Sequence, residues 1–306
     1  MGNESGGHNV DIRKRKRGGN NHPTYFENTS DDLVMNEKNT NSSPSKSLSA
    51  ILLFSGRLSN GILTIAAGAA LSWLWSRQEY GTYREVWLVF LTLNPFLSLG
   101  IPASITYFVP QYDKVRQKSL VIQTIILLMT CGLAAGLLPV CFGPAMSKWF
   151  HNEKLKDLFL LFAFYPLFSF PLLIVDTWLL ALRRPSGAAI FHLWTAVLLV
   201  GTTVLPVALG YDIEAVFFFL TAGVFIRFLS FAYLYRREYL TTKLNWDWSI
   251  TSSQLRYAIP LAASAIISAF ILLLDRLIIA SWYDTENFAV YYNGAKELPV
   301  VGIITG

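Results

Sequence analysis

Charge is scarce in this sequence. Lys, Arg, Asp and Glu make up 15% of its 306 residues, against 53% hydrophobic ones. A water-soluble domain carries about a quarter charged residues, so the shortage excludes an ordinary soluble protein and points to lipid as the solvent. Cysteine is equally sparse. Cys131 and Cys141 fall on one predicted helix, separated by roughly 15 Å of helical rise, so they cannot bridge each other. The four histidines show no Cys/His spacing that suits a metal, so neither metal nor cofactor is expected. No Walker motif, nucleophile elbow or HExxH is present, which removes the usual routes to ATP hydrolysis and proteolysis. An enzyme is therefore not expected. A cleavable signal peptide is also lacking, because the first apolar run starts far from any basic n-region and is too long.

Most of what remains is apolar and helical in pattern. The exception is 1–47, which holds seven of the 25 Lys and Arg and no sustained apolar run. Such a segment cannot bury enough surface to fold alone, and it is expected to be a disordered basic cytoplasmic tail. Its cluster Arg13, Lys14, Arg15, Lys16 and Arg17 has the pattern of a nucleic-acid patch. On a membrane protein the attraction of such a cluster to anionic headgroups is the simpler reading, so membrane lipids and not nucleic acid are the expected partners.

A membrane span needs about twenty apolar residues. Such stretches occur at about 50–75, 85–109, 119–142, 158–182, 187–209, 214–235 and 255–282, with an eighth beginning near Tyr291. Basic residues concentrate in alternate connections: the tail, then Lys114, Arg116 and Lys118, then Arg183 and Arg184, then Arg236, Arg237, Lys243 and Arg256. By the positive-inside rule that side and the amino terminus are cytoplasmic, in a multi-pass protein of the cell membrane. Pro95, Pro102, Pro166, Pro171 and Pro260 fall inside the spans, as in transporters whose kinked helices line a cavity.

Glu79-Tyr80-Gly81-Thr82-Tyr83 follows the first span, and Asn287-Phe288-Ala289-Val290-Tyr291 follows the seventh in a similar pattern. An offset of six spans is even, so two such units would share one orientation. The expected organisation is a tail (1–47), a complete six-helix lobe (48–250), and helix 7 with the start of helix 8 of a second lobe (251–306). A second lobe of equal size would run past Gly306, so the chain is expected to be truncated.

Ionisable residues inside spans are costly and so carry functional information. Five are expected there: Arg57, Asp176, Arg227, Asp275 and Arg276. Arg57 and Asp176 lie at similar depths, about 10–12 Å from the cytoplasmic side, which allows them to pair. Arg227 is nearest the middle with no acidic residue at its depth, which makes it the best anion contact. Arg57 and Arg276 are close enough to the interfaces to snorkel instead. Asp176 and Asp275 are candidates for ion pairing or coupling, although Asp176 serves equally well as a counter-charge to Arg57. Asn60, Asn94 and His192 read as helix–helix hydrogen-bonding residues.

These residues resemble a family. Glu79-Tyr80-Gly81-Thr82-Tyr83, Ser98-Leu99-Gly100-Ile101-Pro102-Ala103-Ser104-Ile105 and Leu274-Asp275-Arg276-Leu277-Ile278-Ile279 followed by Phe288-Ala289-Val290-Tyr291-Tyr292-Asn293-Gly294-Ala295 are similar to the polysaccharide biosynthesis, O-antigen-type flippases of the multidrug/oligosaccharidyl-lipid/polysaccharide (MOP) exporter superfamily. The resemblance implies an all-α, polytopic transmembrane bundle of the MOP/MATE kind around a central cavity. It also implies a polyprenyl-diphosphate-linked oligosaccharide as cargo for lipopolysaccharide or O-antigen synthesis, and polysaccharide assembly enzymes as further partners. A diphosphate crossing lipid needs cationic contacts, for which Arg57, Arg227 and Arg276 are the expected donors. A cation-coupled multidrug exporter of the same superfamily, a membrane polymerase or ligase, and an inactive fragment are the competing readings.

Overall fold

The computed structural model describes residues 46–295, with the backbone alone for 46–54 and 57. The expected tail therefore lies outside the described residues, except for Lys46 and Ser47, which open the first helix. Every regular element among the described residues is helical. They are α1 (Lys46–Leu74), α2 (Arg77–Ser98), α3 (Ile101–Phe108), α4 (Lys114–Trp149), α5 (Leu155–Phe162), α6 (Phe164–Leu172), α7 (Val175–Ala181), α8 (Pro185–Ala208), α9 (Ile213–Glu238), α10 (Trp248–Trp282) and α11 (Thr285–Gly294).

By length and composition, five segments can cross a membrane: α4, the α6–α7 pair, α8, α9 and α10. A sixth arises when α2 and the segment Ile101–Gln111, bent by 44° at their junction, are taken together. The first expected span is α1, whose described apolar stretch, Leu58–Leu74, is shorter. This is a multi-pass membrane protein.

Local chemistry sets the helix ends, and it moves several of the expected boundaries. The second span begins at Arg77 instead of 85, because Ser76 and Glu79 form a capping box. Ser76 Oγ accepts the Glu79 N–H at 3.2 Å, and Glu79 Oε2 accepts the Ser76 N–H at 3.1 Å. What read as a connecting turn, 77–81, is thus the first turn of α2. At the far end Leu99 (φ 51°) and Gly100 (φ 64°) both turn left-handed and break the span. Pro102 then sits in the first turn of α3, where its missing N–H costs nothing, so it restarts the helix without kinking one. The fourth span is three short helices with breaks at Ala163 and at Leu173 and Ile174. Pro166 and Pro171 help to divide it by withholding backbone donors.

The eighth helix starts at Thr285, six residues before the expected Tyr291, because Asp284 caps it by accepting the Asn287 N–H at 2.8 Å. The two helix pairs keep one spacing. α1 ends at Leu74 and α10 at Trp282, α2 starts at Arg77 and α11 at Thr285, and the caps are Ser76 and Asp284. Each step is 208 residues, the offset of the short sequence repeat.

Close packing uses small residues where backbones meet. Gly132 and Gly136, one helical turn apart on α4, face α6 so tightly that a Cβ on Gly136 would stand 1.9 Å from the Ala163 carbonyl oxygen. Behind them lies an aromatic core in which Trp87, Phe90, Phe162 and Tyr165 meet edge-on or stacked. The Phe162 and Tyr165 rings are 4.8 Å apart and those of Trp87 and Tyr165 5.3 Å. The start of α10 is held by polar contacts with α3 and α4. Gln254, fully buried, donates from Nε2 to Ser104 Oγ at 3.0 Å and lies 2.9 Å from Thr124 Oγ1. Lys118 Nζ donates to the Thr242 carbonyl at 2.6 Å.

Candidate functional site

A cavity of about 550 Å³ opens between α1, α2, α10 and α11. Thr64 and Ile65 of α1, Leu91, Asn94 and Pro95 of α2 and Leu272 and Leu273 of α10 form much of its wall. Arg84, Arg276 and Tyr292 supply its charge and aromatic surface. A second chamber of about 220 Å³ shares Thr64, Arg84, Leu91 and Tyr292 and extends toward Trp87, Leu199 and Thr203.

The two arginines reach this space from different helices and converge on one ring. The guanidinium of Arg84 lies 4.7 Å from the centroid of Tyr292, and that of Arg276 lies 5.3 Å from it. Arg84 also stands over Tyr80 at 4.9 Å and Tyr83 at 5.4 Å. Aromatic faces stabilise a cation without neutralising it. Among the described residues neither arginine has a carboxylate within ion-pair distance, and the Nε of each is buried without a hydrogen-bond partner. Arg276 Nη2 makes a long bond, 3.5 Å, to the Ala295 carbonyl. Beside the cavity, then, stand two guanidinium groups with no carboxylate partner among the described residues, and guanidinium groups bind phosphates through paired N–H donors.

Asp275 does not neutralise its neighbour. Its Oδ2 accepts the Tyr291 hydroxyl proton at 2.6 Å, so two adjacent residues on each of α10 and α11 pair in opposite ways. Asp275 holds Tyr291, and Arg276 stacks on Tyr292. The first contact clamps the helices together, while the second leaves the guanidinium without a carboxylate among the described residues.

The remaining expected site residues disperse. Arg227 lies on α9 beside Tyr165 of α6, with its Nε buried and without a hydrogen-bond partner, and it lines neither chamber. Asp176 Oδ1 is 2.9 Å from His192 Nε2, a contact that ties α7 to α8. The side chain of Arg57 lies outside the described residues, and with it the expected Arg57–Asp176 pair. Asn94, expected to bond between helices, instead faces the cavity.

Two ionisable residues were missed because the second span was started too late. Arg84 read as a loop residue, and Glu85 as the first residue of a span. With α2 starting at Arg77, both lie in its second and third turns. The capping pattern Ser76-x-x-Glu79 is the sequence signal that would have placed them. Glu85 is fully buried and accepts the Asn152 side-chain N–H at 2.7 Å, close to Thr285. Its neighbours form the seam beside the cavity. Tyr80 OH donates to Asn293 Oδ1 at 2.6 Å, and a Cβ on Gly81 would stand 2.2 Å from the Thr285 carbonyl oxygen. The residues read as a repeat motif thus bring α2 and α11 into contact.

A family model described as polysaccharide biosynthesis protein matches residues 49–304. Among solved structures the chain is similar to the inward-facing conformation of a multidrug resistance MATE family transporter of the MOP superfamily. The TM-score is 0.52 and the identity 16%, and the match covers 80% of this chain and 60% of that one. No curated protein matches the sequence. At that identity the likeness establishes a common fold, with this chain spanning 60% of the other's length.

Proposed function

The chain belongs to the polysaccharide biosynthesis protein family, and from that premise we propose that it is a flippase. Its cargo is a polyprenyl-diphosphate-linked oligosaccharide, carried from the cytoplasmic to the outer leaflet of the cell membrane for surface polysaccharide such as O-antigen. The observation that carries this reading is the pair Arg84 and Arg276, both over the Tyr292 ring beside the cavity and without a carboxylate partner among the described residues. A diphosphate leaving water loses its hydration, and two guanidiniums held ready replace it. Arg227 remains a further anion contact, on a separate path from the cavity. The alternation of basic loops supports a cytoplasmic amino terminus, with the basic tail against anionic headgroups.

The shared 208-residue spacing of α1 with α10 and of α2 with α11 supports a first six-helix lobe (48–250) followed by the opening helices of a second (251–306). The cavity then lies where the two units meet, the usual position of a transported substrate between repeats.

The test is surface polysaccharide in cells that depend on this gene. Arg276→Ala and Arg84→Ala, at normal expression, should each reduce polymer strongly, and Arg227→Ala less so. Unchanged polymer in both cavity variants would overturn the assignment. The likeness to a multidrug transporter favours one second reading, a cation-coupled exporter of hydrophobic drugs. A cationic cavity suits that cargo poorly. Drug sensitivity on deletion, with intact surface glycan, would favour it.

A further inference from the structure

A second concave surface lies on the outside of the bundle, between α8 and α9. It encloses about 600 Å³ and is walled by Ile190, Phe191 and Trp194 on one side and Ile226, Leu229 and Tyr233 on the other. It shares no lining residue with the cavity. Ile190 and Tyr233 are about two-thirds exposed, at 67% and 65%, so the walls face outward into lipid. Trp194 Nε1 donates to Ser230 Oγ at 3.3 Å, joining the two walls at the inner end. From Arg184 at the mouth to Trp194 is about 15 Å of helix, half of a hydrocarbon core of roughly 30 Å. The groove is one leaflet deep.

Its mouth is charged. Arg184 Nη1 lies 2.7 Å from Glu238 Oε2, and Lys114 Nζ pairs with the other oxygen of the same carboxylate. Two cations share one anion, which leaves one positive charge over. Both basic side chains are 58% exposed while Glu238 is 6% exposed, so the excess charge is the part a ligand can reach. Arg183 adjoins the pair, and Arg236 and Arg237 occupy the last turn of α9 at the same end.

We propose that this groove is a binding site for an anionic phospholipid of the leaflet on the basic side, one acyl chain lying between α8 and α9 and the phosphate on Arg184 and Lys114. An apolar wall one leaflet deep takes a chain, and a surplus cation at the headgroup level selects a negatively charged lipid over a zwitterionic one. Glu238 then acts as a brake on affinity, because it competes with the phosphate for Arg184.

Native mass spectrometry of the full chain in detergent tests this, with phosphatidylglycerol and phosphatidylcholine of identical chains as ligands. Phosphatidylglycerol should be retained roughly fivefold or more over phosphatidylcholine, the preference one basic side chain provides at a membrane surface. Arg184→Gln should abolish the preference, since Lys114 still neutralises Glu238. Glu238→Gln should strengthen phosphatidylglycerol binding by freeing Arg184, a gain no folding defect produces. Ile190→Trp, which fills the groove, should weaken both lipids. Excess inorganic phosphate should not displace the bound lipid. Equal retention of the two lipids, or weaker phosphatidylglycerol binding by Glu238→Gln, would overturn the proposal. So would preferential retention of a polyprenyl phosphate, because the groove would then belong to the cargo.

Discussion

At the scale of single residues, Arg84 and Arg276 carry charges that no carboxylate among the described residues pairs with. Arg276 was visible in the sequence because an arginine inside an apolar span is costly and so stands out. Arg84 was not, since its status depends on where a helix begins. Tyr292, the ring both guanidiniums face, stood in the sequence only as one residue of a family-like motif, because only the packing of α11 on α2 brings it to them. Its role is separable by substitution. Tyr292→Phe keeps the π-face and should retain transport near the unsubstituted level. Tyr292→Ala removes two cation–π contacts of about 0.5–1 kcal/mol each, and should lower cargo affinity several-fold through misplaced arginines. Competition binding with a short-chain polyprenyl diphosphate separates the two outcomes. Replacing either arginine by lysine keeps the charge but loses the paired donors, and should recover only part of the loss caused by alanine.

At the scale of elements, the sequence specified helices well and their ends poorly. Apolar length located a helix at each expected position, but a shift of about two turns in the start of the second, to Arg77, reassigned Arg84 and Glu85. The three pieces of the fourth span were legible only as two prolines, and nothing in the sequence indicated that Ala163 and Pro166 would present their carbonyls to glycines of α4. That contact makes a sharp prediction. Gly136→Val places a side chain where the backbone of α6 already stands, 1.9 Å from Cβ. The overpacking should cost about 1–3 kcal/mol or more, seen as a lower melting temperature in detergent and reduced yield.

A cap gives a second element-scale prediction. The Ser249 hydroxyl and backbone N–H hold the Asp247 carboxyl below its usual value at the start of α10. Because the folded-state pKa is depressed, the stabilisation is present at neutral pH and is lost as pH falls through the folded value. Asp247→Ala should therefore lower the melting temperature at pH 7, and the difference should close on acidification below about 4, the ordinary carboxylate value.

At the scale of the molecule, the fold class and the membrane character were readable because lipid permits few architectures. The repeat was readable only as five degenerate residues. The caps Ser76 and Asp284 stand at the same 208-residue offset as those residues. How α2 meets α11 was beyond reach, since it depends on which side chains face each other across helices 208 residues apart. Orientation remains testable directly. With Cys131 and Cys141 replaced, Thr241→Cys should react with an impermeant maleimide only in inverted vesicles, and Tyr211→Cys only in intact cells. The opposite pattern would invert the topology and the direction of transport.

In the proposed function Arg84 and Arg276 together receive a lipid-linked diphosphate during its passage across the membrane. The most direct measurement is flipping of a fluorescent polyprenyl-diphosphate oligosaccharide in proteoliposomes of the full-length protein, scored by loss of accessibility to an external reagent. Flipping should occur with the unsubstituted protein and fall at least tenfold with Arg84→Ala/Arg276→Ala, a loss in line with the roughly 1.5–3 kcal/mol of a single charged hydrogen bond. Equal flipping by the double variant, at equal reconstitution, would contradict it.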